Sequence, residues 1–136
     1  MERIFVDTDV ALDLLDERAP FYKSAAQLFS RADQNELIIL ISSLSFTTIH
    51  YVLRKKYASS ESRKLLGRFK VLVQVIPVDD KVIELALTSS IQDFEDAVQY
   101  YAAIENQATA IVTRNLKDYK KSVIPVMTAE GYLKSN

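Results

Sequence analysis

Cysteine is absent from the 136-residue chain, which excludes a disulfide framework, a thiolate zinc site, a cysteine nucleophile and an iron–sulfur cluster. Glycine occurs only twice, at Gly67 and Gly131, so neither a phosphate-cradling P-loop nor a G-x-G-x-x-G dinucleotide turn can be built. Long apolar runs are also missing. Leu37–Ile41 spans five residues, where a bilayer needs about 20, so no membrane association is expected. Met1-Glu2-Arg3 leads straight into Ile4-Phe5-Val6-Asp7 without a leader-like apolar stretch or a small-residue cleavage site, which makes the cytoplasm the expected compartment. A strong excess of one charge is lacking too: 17 basic side chains face 18 acidic ones. Tight, non-specific nucleic-acid binding by overall charge is therefore excluded, and any such contact must be local.

What is present describes one soluble domain over residues 1–136, with 49% hydrophobic residues and enough length to bury about 70% of its unfolded surface. Short apolar runs predict strands at 3–6, 37–41, 71–76, 110–113 and 124–127, the last at a sheet edge because of Pro125. Between them, Phe21/Ala25/Leu28/Phe29, Ile49/Val52/Leu53, Leu65/Leu66/Phe69, Val82/Ile83/Ala86/Leu87 and Ala97/Tyr100/Tyr101/Ile104 follow helical period. Strands separated by helical crossovers predict a three-layer α/β/α fold around a parallel sheet of about five strands. Charge is uneven along it. Residues 54–70 carry seven basic side chains and one acid, whereas 79–105 carry seven acids and one base. The plain reading is two solvated helical faces; the sharper one is a basic rim beside an acidic centre.

In such a fold, strand ends and helix starts share one edge, the usual ligand edge of open α/β sheets. Asp7 and Asp9 follow the first predicted strand, Asp93-Phe94-Glu95-Asp96 opens a helix, and Asn115 and Asp118 follow the fourth strand. Two carboxylates about 4 Å apart repel by roughly 4 kcal/mol at an effective dielectric near 20, or about three pKa units. A shared proton, a basic side chain or a divalent cation must relieve this. Oxygen donors without cysteine suit Mg²⁺ or Mn²⁺. Duller roles exist: Asp9 as N-cap of a helix over 10–15, Asp93 as N-cap of the helix starting at Phe94, His50 as a structural or surface residue, and Tyr100 and Tyr101 as core. Asp96, in the first turn, leans back toward the strand edge.

These segments resemble a known family. Ile4-Phe5-Val6-Asp7-Thr8-Asp9-Val10-Ala11-Leu12-Asp13 is similar to the opening strand and turn of PIN domains, Asp93-Phe94-Glu95-Asp96-Ala97-Val98-Gln99 to their third acidic motif, and Ile111-Val112-Thr113-Arg114-Asn115-Leu116-Lys117-Asp118-Tyr119 to their fourth. The tail Ile124-Pro125-Val126-Met127-Thr128 resembles their closing strand. The resemblance implies an α/β/α fold, a Mg²⁺- or Mn²⁺-dependent endoribonuclease, and, as in many small bacterial members, the toxin of a VapC-type toxin–antitoxin pair. It implies catalytic roles for Asp7, Asp96, Asn115 and Asp118, with Asp7 and Asp96 as metal ligands, and a rim of Asp9, Thr48, Asp93 and Thr113. Arg54, Lys55, Arg114 and Lys117 are then expected on the RNA backbone, an antitoxin as a protein partner, and a homodimer. Thr48 and Asn115 stand where many members carry acids. The alternative is therefore a catalytically impaired PIN-fold module that binds RNA or a protein.

Overall fold

The computed structural model describes residues 1–135. Five parallel strands form one sheet in the order β3-β2-β1-β4-β5: β1 (Arg3–Val6), β2 (Ile38–Ser42), β3 (Gln74–Ile76), β4 (Ala110–Val112) and β5 (Val126–Met127). The α/β fold with its five-stranded parallel sheet is as expected. Burial on both sheet faces explains the apolar runs. Ile4, Phe5 and Val6 are fully buried, and they alternate: Ile4 and Val6 join one core and Phe5 the other.

Among the described residues, seven helices cover the sheet: α1 (Thr8–Leu15), α2 (Tyr22–Asp33), α3 (Ser43–Leu53), α4 (Ser59–Leu72), α5 (Asp80–Leu87), α6 (Phe94–Glu105) and α7 (Ala129–Ser135). Val10, Leu28, Ile49, Phe69 and Tyr132 place α1–α4 and α7 in one core. Val82, Ala86, Val98 and Ala102 place α5 and α6 in the other. The sheet order explains this division. The chain steps outward from β1 to β2 and β3, then returns to pair β4 with the free side of β1. Crossovers of constant hand must change faces when the stepping direction reverses. That reversal creates a topological switch point between β1 and β4, where open α/β sheets carry their ligand crevice.

Five expected bounds need correction; of these, the fourth strand ends at Val112 and not at 113, and the fifth begins at Val126 and not at 124. The third strand is shorter than 71–76, because α4 runs on through Leu72: Phe69 is buried while Val71 is 83% exposed, a helical and not an alternating pattern. The first helix starts at Thr8, with Asp7 as its N-cap, so Asp9 is a first-turn residue and not the cap. The second strand is displaced by one residue to Ile38–Ser42, and Ser42 caps α3 through its side chain. β5 lies at the sheet edge, as Pro125 requires.

Candidate functional site

Asp7 extends the sheet at the switch point: its N–H donates to the Val112 carbonyl at 2.9 Å. With ψ at 158° the residue remains extended while the next begins α1, which turns its carboxylate into the crevice. Oδ1 accepts from the Thr8 N–H at 2.9 Å. Oδ2 accepts from the Thr113 hydroxyl at 3.0 Å and the Tyr119 hydroxyl at 3.1 Å. Of about four lone-pair sites on a carboxylate, three are thus used. Burial pushes its pKa up, and the Asp118 charge adds to this, against the three hydrogen bonds. Burial and the Asp7 charge keep the Tyr119 phenol protonated well beyond the ordinary tyrosine range, so it acts as a donor.

Asp96 approaches from the first turn of α6. Asp93 caps that helix, its Oδ1 accepting from the Asp96 N–H at 2.9 Å, as the capping expectation stated. Burial, and then the charges of Asp118, Asp93, Asp7 and Glu95, push the Asp96 pKa up to about 7. Asp9 rises to about 6 through burial and the Asp7 charge, against Arg114. Its Oδ2 accepts from Asn115 Nδ2 at 3.1 Å and, at 3.4 Å, from the Arg114 N–H. Its Oδ1 is buried without a partner. Asp7, Asp9, Asp93, Asp96, Asn115 and Asp118 all line one open depression of about 440 Å³, together with Glu95, Thr8 and Gln99.

The floor of this depression is a polar network that sequence reasoning missed. Thr8 Oγ1 and Ser45 Oγ lie 2.7 Å apart, and Gln99 Nε2 donates to both, at 3.3 and 3.0 Å. Gln99 is 2% exposed and its Oε1 is buried without a partner. The available signal was spacing: Gln99 lies three residues after Asp96, on the same helical face, amid otherwise apolar buried positions. Ser45, one turn nearer the strand edge than Thr48, is the α3 residue that joins the network. Thr48 does not line the depression; its hydroxyl meets the Leu44 carbonyl within the helix at 3.5 Å. Thr113 lies beneath the rim, fully buried, with its hydroxyl on Asp7 and accepting from the Asn115 N–H.

The four expected RNA contacts separate. Lys117 lies beside Asp93, Asp96 and Asp118. Arg114 is engaged within the protein: Nε lies 3.0 Å from Oδ2 of buried Asp13, and its guanidinium stacks 4.2 Å from the Phe21 ring centre. Arg54 donates to the Tyr57 carbonyl, and Lys55 sits over the Tyr51 ring. Both are at the far end of α3, about 16 Å along its axis from the strand edge. The structure does not bring Arg54 or Lys55 to the acids.

Among the described residues, no three His, Cys, Asp or Glu side chains are arranged to hold a metal ion by themselves. The chemistry of the donors nonetheless suits a hard cation. No protein donor reaches the Asp96 carboxylate among the described residues, and Asp7 retains about one free lone-pair site. Mg²⁺ usually keeps several waters and needs only one or two carboxylates.

A PIN domain family model matches residues 3–117. Ribonuclease VapC1 of Aquifex aeolicus (strain VF5) is 29% identical to this chain over 139 residues, covering 96% of this chain and 93% of its own length. A toxin–antitoxin complex from Klebsiella pneumoniae contains a chain that superposes with a TM-score of 0.68 at 19% identity, covering 93% of this chain and 97% of the other. VapC20 of Mycobacterium tuberculosis, described as a sarcin–ricin loop cleaving toxin, superposes with a TM-score of 0.62 at 16% identity over 79% of this chain and 86% of its own. With acids gathered at the β1/β4 switch point and a family match running from the first strand through the turn after the fourth, the chain belongs to the PIN domain family.

Proposed function

We propose that this protein, as one domain over residues 1–136, is a divalent-metal-dependent endoribonuclease that works in the cytoplasm as the toxin of a toxin–antitoxin pair. The observation that carries the reading is uncompensated charge. The Asp118 charge raises the proton affinity of both Asp7 and Asp96, and Asp7 adds to that of Asp96, while Arg114 is committed to Asp13 and Arg18, which also lines the depression, to Asp16. The family, the naming of the Aquifex relative as a ribonuclease and the Klebsiella toxin–antitoxin complex support the same reading.

Asp7 and Asp96 would hold Mg²⁺ or Mn²⁺, which supplies an activated water and stabilises a departing oxyanion when bound. The chain's own groups prepare that place. Thr113, Tyr119 and the Thr8 N–H fix the Asp7 carboxylate, and Gln99 fixes the Thr8 and Ser45 hydroxyls below it. Asp9 orients the Asn115 amide, so Asn115 and Asp118 can act through water at the rim. Lys117 would meet RNA phosphate, as phosphate contacts set register without reading bases. The protein partner is an antitoxin, and the active toxin is a homodimer.

The test is cleavage of RNA with Mg²⁺ or Mn²⁺ by the wild type, Asp7→Asn and Asp96→Asn. Cleavage by the wild type alone supports the assignment; equal cleavage by all three places the activity elsewhere. A second reading, an impaired PIN module that binds RNA or a protein, is favoured by Asn115, whose neutral amide is engaged by Asp9. Calorimetry separates the readings: absence of Mn²⁺ binding at millimolar concentration, with an unchanged melting temperature, supports the binding module.

A further inference from the structure

The densest run of basic residues along the chain, 54–70, is not the basic surface nearest the acids. Its helix α4 packs through Phe69, Leu65 and Leu66 into the core of the α1–α4 layer, whereas α6 belongs to the opposite layer. Lys64 and Arg68 border a shallow surface hollow that shares no residue with the acidic depression. A second cavity of about 380 Å³ does share residues with it. Asp93, Asp96 and Asp118 line it together with Lys117, Lys120 and Lys121. Among the described residues, none of these six side chains is in an ion pair. Lys121 is nonetheless held, its Nζ donating at 3.1 Å to the carbonyl of Ser90, another lining residue.

Acids and lysines that line one cavity without pairing leave both signs of charge open to a ligand. The complementary ligand carries a cation for the acids and an anion for the lysines. A phosphodiester chain whose scissile phosphate lies against a cation at the acids, and whose neighbouring phosphate lies a nucleotide further on, has that distribution.

We infer that the cavity between α6 and the turn at Leu116–Tyr119 is the subsite for the phosphate flanking the scissile bond, with Lys120 and Lys121 as its anion contacts, so that single-stranded RNA leaves the acidic depression on this side and not across α4. The inference rests on the nuclease reading for the identity of the chain. Lys120 and Lys121 are exposed or nearly so, so their replacement leaves the core untouched.

The experiment measures binding of a fluorescent single-stranded oligoribonucleotide in EDTA, across a salt series, to the wild type, the pair Lys120→Gln/Lys121→Gln, and the control pair Lys64→Gln/Arg68→Gln. Two lost phosphate contacts should lower the slope of log Kd against log salt by about 1.4, at about 0.7 per contact on a single strand, and weaken binding at low salt by roughly tenfold or more. The control pair should match the wild type. An unchanged slope for the Lys120/Lys121 pair, or an equal loss in both pairs, overturns the subsite. Cleavage assays on the wild type keep this distinct from the parent reading. A reduced slope with no metal-dependent cleavage retains Lys120 and Lys121 as RNA phosphate contacts but removes the nuclease and with it the scissile-bond assignment, whereas cleavage with an unchanged slope keeps the nuclease and removes the subsite.

Discussion

Asp7 and Asp96 sit on the same depression with opposite degrees of support. Asp7 accepts three hydrogen bonds, whereas no donor among the described residues reaches the Asp96 carboxylate, whose pKa rises to about 7. Removing the Asp96 charge should therefore relieve the fold even as it removes a proposed metal ligand. Asp96→Asn is expected to melt a few degrees above the wild type in EDTA, to lose that advantage in 10 mM Mg²⁺, and to lose at least 100-fold in RNA cleavage. Calorimetric scans with and without Mg²⁺ check this, and a lower melting temperature for the variant in EDTA would contradict it. Arg114 shows how a residue's chemistry misleads when its partner is far away in sequence. The family resemblance put Arg114, with Lys117, on the RNA backbone, whereas in the structure it pairs with buried Asp13 on α1. Breaking a buried pair from one side leaves the other charge stranded, at about 3–5 kcal/mol. Arg114→Leu should destabilise by less than that in denaturant titration, because Arg114 is 30% exposed and burial already pushes the Asp13 pKa up, and adding Asp13→Asn should recover part of the loss; no recovery would mean that the Phe21 stack, not the ion pair, sets the cost.

At the scale of elements, the site depends on where helices begin. Asp7 and Asp93 cap α1 and α6, so two helix starts meet the ends of β1 and β4. The Asp93 cap was legible because an Asp before a helical run has few other local uses. The Asp7 cap was not, because Asp7 and Asp9 are both plausible caps and only the strand's last hydrogen bond, to Val112, fixes the register. Helix α4 offers a separate test of element energetics. Gly67 lies mid-helix, and a Cβ there would meet nothing within 4 Å. Gly67→Ala should stabilise the protein by about 0.8–1 kcal/mol through helix propensity alone. Chemical denaturation measures it, and a destabilised variant would show that the helix needs its glycine for a contact.

For the whole molecule, the acid cluster makes stability depend on pH in an unusual direction. Asp7, Asp9 and Asp96 all have folded-state pKa values raised above the ordinary carboxylate value of 3.8. The folded protein then binds more protons than the unfolded chain between 3.8 and about 7, so stability falls as pH rises through that window. Asp16 opposes this: burial raises its pKa, but Lys56 and Arg18 outweigh burial and lower it, so its contribution is lost only as pH falls below the ordinary carboxylate range. In metal-free buffer the melting temperature should increase from pH 8 to pH 5, and Mg²⁺ should flatten the trend by stabilising the high-pH end. A melting temperature that falls steadily over that range would count against a coupled acid cluster. The amino-acid sequence by itself determined the parallel α/β architecture, the edge position of the last strand and the gathering of Asp7, Asp96 and Asp118, because apolar runs of strand length alternating with helical period admit few topologies, and strand ends in them share one edge. Only the tertiary structure decided that Ser45, Gln99 and Tyr119 hydrogen-bond into the acidic depression, that Thr48, Arg54 and Lys55 do not line it, and that Arg114 pairs with Asp13. Those outcomes depend on which side chains from distant segments approach within hydrogen-bonding reach, a matter of packing across layers that no local pattern encodes.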